Sequence, residues 1–112
     1  MSLVYIVNKA AHDYSDAERF GDLVFCTDGA LNRYDTSQMY RELYSSMKDS
    51  MEEDYILLTS LTSLCSIACA IFAHKHGCLN LLIHRDVGYV ERKLVFQSNT
   101  RSTNDTSDSY NR

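Results

Sequence analysis

A chain of 112 residues has room for one hydrophobic core and not for two. Its hydrophobic share of 45% and charged share of 23% are those of an ordinary globular domain. The net charge of -4, with an isoelectric point near 5.4, forces no basic face and speaks against nucleic acid as a partner.

The first element is the apolar run "LVYIV", Leu3 to Val7, which reads as a strand ending at Asn8-Lys9. "SDAERFG" follows. Ser15 with Glu18 has the spacing of a capping box and Gly21 suits a C-terminal stop, so one or two helical turns are expected over Asp16 to Phe20. "DLVFCT", residues 22–27, is the second strand and "DGALNRYD" a loop. Asp35-Thr36-Ser37-Gln38 then opens a helix. On it Met39, Tyr40, Leu43, Tyr44, Met47 and Met51 recur every three or four residues. "DYILLTS" is the third strand, apolar at every position from Tyr55 to Leu58; that lack of alternation predicts a strand covered on both faces, as in a parallel sheet.

A second helix is expected from Ser60–Ser63 to about His76. Gly77 is placed for a left-handed cap, and His74, Lys75 and His76 put positive charge at the negative end of the dipole. Small residues Ala68, Ala70 and Ala73 let this helix lie close to a sheet. "CLNLLIH", 78–84, is the fourth strand, and "YVERKLVF", 89–96, pairs back on it as an edge. Strand and helix alternate. The fold class expected is therefore α/β: a single three-layer domain over residues 1–96, with a mostly parallel sheet of about five strands, helices on both faces and a C-terminal β-hairpin edge. Residues 97–112, "QSNTRSTNDTSDSYNR", are nearly all polar and read as a flexible tail.

No apolar stretch reaches the roughly 18–20 residues of a membrane span, and Met1–Tyr14 has no basic segment before an apolar one, as a signal peptide would. The four cysteines, Cys26, Cys65, Cys69 and Cys78, lie in or beside apolar runs without disulfide-scaffold spacing, which points to a reducing compartment such as the cytoplasm.

In open α/β sheets ligands bind outside the carboxyl ends of the strands. Here those ends carry Asn8, Lys9, His12 and Asp13; Thr27, Asp28, Asn32 and Arg33; Thr59 to Ser63; and His84, Arg85 and Asp86. The hydroxyls of Thr59, Ser60, Thr62 and Ser63 stand where a strand meets a helix N-terminus, a place suited to an anion, with Lys9 and Arg33 as counter-charges. The same hydroxyls would also serve as plain helix caps. There is no G-x-x-x-x-G-K and no G-x-G-x-x-G, which speaks against a nucleoside triphosphatase or an ordinary dinucleotide enzyme. Lys9, His12, Asp13 and Asp28 would support acid–base chemistry only if they converge. Cys65, Cys69, His74, His76 and Cys78 do not have the paired-knuckle spacing of structural zinc, so neither a metal nor another cofactor is expected. Tyr34, Tyr40, Tyr44 and Tyr55, with Met39, Met47 and Met51, are either an association face or the core face of the first helix.

"DYILLTSLTSLCSIACAIFAHKHGCLNLLIHR", with "YIVNKAAHDYSDAERFG" upstream, resembles a family of small uncharacterised proteins encoded by tailed bacteriophages, over about residues 3–96. The resemblance brings no activity. It implies phage origin, the cytoplasm of a bacterial host, and a host component as partner. The expected function is that of a small non-catalytic binding protein acting on a host protein or by self-association. The alternative is a module that binds a nucleotide or other anionic small molecule at Lys9, Arg33, Thr59, Ser60, Thr62 and Ser63; a small enzyme using Lys9, His12, Asp13 and Asp28 comes third.

Overall fold

The computed structural model describes residues 2–10, 12–27, 32 and 34–96. The tail 97–112, Asp28 and Arg33 lie outside the described residues. The elements are β1 (Leu3–Ile6), a 3-10 helix (Ser15–Arg19), β2 (Asp22–Phe25), α1 (Thr36–Ser46), β3 (Tyr55–Leu57), α2 (Thr62–His76), β4 (Cys78–Arg85) and β5 (Gly88–Val95). They build a five-stranded sheet in the order β2-β1-β3-β4-β5. β1 pairs parallel with β2 and β3, β3 pairs parallel with β4, and only β5 is antiparallel, joined to β4 by a two-residue turn in which Asp86 takes a φ of 57°. The α/β domain with a mostly parallel sheet and a C-terminal hairpin is the architecture expected.

β3 lies at the centre of the sheet. Tyr55, Ile56 and Leu57 are all buried, as their unbroken apolar run requires. Side chains alternate across the sheet. Tyr5 and Val7 of the first strand and its extension, with Ile56, face α1 and α2; Val4, Ile6, Tyr55 and Leu57 face the other way. The two faces are covered unequally. Both α-helices share the first, where Met39, Leu43, Met47, Leu64, Cys65, Ala68 and Phe72 form the main core. Each large side chain buried there contributes roughly 1.5–3 kcal/mol relative to exposure. Among the described residues, the second face is covered by the 3-10 segment and the residues that flank it. Ala17 lets the segment lie close to the sheet, and the bulky rings that flank it fill the face: Tyr14 is buried, and the Phe20 ring lies 5.6 Å from that of Tyr55.

Several local expectations need correction. Ser15 and Glu18 form no capping box. Tyr14 is the N-cap without a side-chain bond, and the Ser15 N–H donates instead to Asp13 Oδ1 at 2.9 Å. Gly21 ends the 3-10 turn, but its chief constraint is the backbone of β1: a Cβ there would stand 2.1 Å from the Ser2 carbonyl oxygen. The α1 stripe divides into two rows. Met39, Leu43 and Met47, four residues apart, point into the core, while Tyr40 and Tyr44, one row around, are 49% and 56% exposed. Tyr55 belongs to the sheet and not to α1.

α1 opens as expected, with the Asp35 carboxylate accepting the Gln38 N–H at 3.1 Å. α2 does not open on a hydroxyl cap. Its N-cap is Leu61, with no side-chain bond, because Thr59 turns its Oγ1 to accept the Leu61 N–H at 3.3 Å one step earlier. The Cys65 thiol closes back on the same turn, donating to the Thr59 carbonyl oxygen at 3.4 Å and accepting the Thr59 N–H at 3.3 Å. α2 ends at Gly77, with a φ of 71° and its N–H on the Ala73 carbonyl at 2.8 Å.

Candidate functional site

β1 connects to β2 across one face, and the later crossovers run over the other, so the winding reverses between β1 and β3. At such a reversal the connections diverge and leave a crevice at the strand ends. A cleft of about 460 Å³ lies there. Its walls come from distant parts of the chain: His12 and Tyr14 after β1, Thr59 and Ser60 after β3, and His84 and Tyr89 on the hairpin. Leu57, Leu58 and Ile83 give it an apolar floor. The aromatic rings stand edge to face in a row, with centroids 5.2 Å apart for His12 and Tyr14, 5.5 Å for His12 and His84, and 5.3 Å for His84 and Tyr89.

Of the residues expected at an anion site, Thr59 and Ser60 line this cleft. Thr62 and Ser63 are exposed on the first turn of α2 and do not. Lys9 turns toward β2: its N–H donates to the Thr27 carbonyl at 3.0 Å, and its ammonium stands 5.4 Å from the centre of the Phe25 ring. Arg33 is outside the described residues. His84 and Tyr89 complete the cleft. They face each other across the hairpin register. The acid–base set does not assemble around one point. His12 is in the cleft, Lys9 is on Phe25, Asp13 is held by Ser15, and Asp28 is outside the described residues. The backbone N–H of Ser15, with the neighbouring His12, keeps the Asp13 carboxyl below the usual carboxylate range, and burial raises the Tyr89 phenol.

The cysteines are free thiols. Burial pushes Cys26 up to about 12 and Cys69 up to about 11, so neither is a thiolate at neutral pH. Among the described residues no three His, Cys, Asp or Glu side chains converge as metal ligands.

A larger concavity lies on the outer surface of the two helices. The groove between α1 and α2 encloses about 990 Å³. Tyr40, Tyr44 and Met47 form one wall and Ile67, Ala70 and Ile71 the other. The Tyr40 and Tyr44 rings are 5.6 Å apart and inclined at 34°, so they present a continuous aromatic surface. The rim carries Arg41, Lys48, His74 and Lys75, and no carboxylate lines the groove among the described residues. Lys75 is anchored by its ammonium donating to the Lys48 carbonyl at 2.6 Å, and neither it nor Arg41 or Lys48 forms an ion pair with a described residue.

No helix among the described residues is long and apolar enough to cross a membrane. No curated protein and no solved structure matches the chain. One family model does match it, over residues 2–94, and that span takes in every strand and helix that forms the cleft and nearly all of the sheet edge. The chain belongs to the Phage Pam3 gp32-like protein family.

Proposed function

We propose that this protein works without catalysis, as a phage-encoded binding protein whose α1–α2 groove takes an acid-bearing amphipathic helix of a host protein. The observation that carries the reading is the pairing of an exposed aromatic wall, Tyr40 and Tyr44, with a rim of Arg41, Lys48, His74 and Lys75 on a chain whose net charge is -4. A helix laid in such a groove buries its apolar face on the tyrosines and the Ile67–Ile71 wall, while its carboxylates meet the rim. Exposed tyrosine suits this role, since it supplies large contact area at low entropic cost.

The rim also argues against a second copy of the chain as occupant. Two identical grooves placed face to face would bring cation against cation. The work would be done in the bacterial cytoplasm, where the free thiols stay reduced.

The test is a photo-crosslinking amino acid at position 44, used in bacterial cells with the full chain. The expected product is one host protein crosslinked through an acidic helical segment and lost when Arg41→Glu and Lys48→Glu are combined. Crosslinking through a neutral or basic segment, or capture that survives the double charge reversal, contradicts the reading.

A further inference from the structure

The cleft at the reversal between β1 and β3 has a feature that core packing does not explain. Tyr89 is 3% exposed, and its backbone is fixed at both ends: its N–H donates to Asp16 Oδ2 at 2.8 Å and its carbonyl accepts from Arg19 at 2.7 Å. Yet its phenol hydroxyl has no hydrogen-bond partner among the described residues, although it lines the cleft. Buried tyrosine hydroxyls usually find a partner, and one left without costs stability. The imidazoles of His12 and His84 and the hydroxyl of Ser60 are likewise without partners among the described residues, and all four residues line the same cleft. Each can donate a hydrogen bond, and no carboxylate is part of the cleft wall among the described residues.

We propose that this cleft is a second site, independent of the groove, that binds a small phosphate-bearing molecule beside the His12 and His84 imidazoles, with Ser60 and Tyr89 as further donors. The chemistry favours an oxyanion over a metal ion, because only two imidazoles meet there and no third metal-ligating side chain joins them among the described residues. A phosphate beside the two rings, whose centroids are 5.5 Å apart, would accept a hydrogen bond from each. The apolar floor of Leu57, Leu58 and Ile83 would take a planar or aliphatic body attached to the phosphate. Asp13 beside His12 opposes an anion from outside the wall, Asp16 is neutralised by Arg19, and Arg85 and Asp86 at the hairpin turn pair with each other.

The test follows the imidazole resonances of the full chain by NMR at one fixed pH. Inorganic phosphate and adenosine monophosphate are titrated separately. His76 is the internal reference, since it is bonded to Ser50 at the opposite end of the sheet. The expected result is a saturating shift of His12 and His84 with His76 unmoved, tighter for the nucleotide if the floor holds its base and equal for both if only the phosphate is read. Ser60→Ala and Tyr89→Phe should each weaken binding at least about fivefold, in keeping with loss of a hydrogen bond to a charged group. Both variants should keep their thermal stability, because neither hydroxyl has a partner to lose among the described residues. Asp13→Asn should tighten binding. Shifts that fail to saturate, that move His76 equally, or that persist unchanged in Tyr89→Phe overturn the proposal.

Discussion

Asp54 accepts the backbone N–H of Leu3 at 2.8 Å, and it does so with only 2% of its surface exposed. Its other carboxylate oxygen accepts the Met51 N–H, also at 2.8 Å. One buried carboxylate thus ties the start of β1 to the turn that leads into β3, the strand beside it. Asp54→Ala would leave two N–H groups without partners, and a loss of about 2–4 kcal/mol is expected in urea unfolding. Asp54→Asn, which keeps one acceptor, should lose less. A change below about 0.5 kcal/mol for the alanine variant would show that water replaces the carboxylate freely.

Gly21→Ala tests the close approach of β1 and β2. The Ser2 carbonyl that the new methyl would strike also accepts the Asp22 N–H at 3.1 Å, so the clash falls on the first rung of the pairing. Backbone on backbone cannot yield as a flexible side chain can. A destabilisation of about 2 kcal/mol or more is expected from thermal unfolding. Wild-type stability would place the glycine's role in the 3-10 turn alone.

His76 gives the fold a predictable acid response. Burial against the Phe72 ring, then the Lys75 charge, lowers its proton affinity in the folded chain, outweighing the opposite pull of Asp54, Glu52 and Glu53. Above about pH 6.5 neither the folded nor the unfolded chain holds this proton, and its contribution is complete. As the pH falls below that value the unfolded chain is protonated first, and stability is lost until the folded chain also takes the proton. Unfolding curves between pH 8 and 5 should therefore drop less in His76→Gln, which can keep a bond to Ser50, than in the wild type. Equal slopes would contradict the assignment.

The hydroxyls at the start of α2 should matter little to stability. With Leu61 at the N-cap and no side-chain bond to the first turn, Thr62→Ala and Ser63→Ala are expected to change unfolding free energy by less than about 0.5 kcal/mol. A loss near 1 kcal/mol in either would restore them as caps.

What could be read in advance followed local rules. The unbroken Tyr55–Leu58 run announced a strand buried on both faces, Asp35 announced the start of α1, and Gly77 announced the end of α2. The facing of α1 was harder. Met39 and Tyr40 are neighbours on the same broad stripe, and only the position of α2 decides that one row is core and the other a groove wall. The cleft was legible as a set of strand ends that included His12, Thr59, Ser60 and His84. Its true membership depends on strand order, which is a long-range fact, and on the pairing of His84 with Tyr89 across the hairpin. The place of Lys9 beside the Phe25 ring was not legible, because that ring comes from β2 and the pairing of β1 with β2 is a long-range fact.

Methyl NMR of the full chain tests the proposed docking of an acid-bearing helix in the α1–α2 groove. Two designed amphipathic helical peptides are compared, each with leucine on one face, one carrying glutamate and the other lysine opposite. The glutamate peptide should move the Met47, Ile67, Ala70 and Ile71 methyl signals saturably and less so at high salt, the lysine peptide should leave them in place, and Arg41→Glu with Lys48→Glu should weaken the response by about tenfold or more. Equal response to both peptides, no response to either, or the same shifts on raising the protein concentration alone, which would place a second copy in the groove, would contradict it.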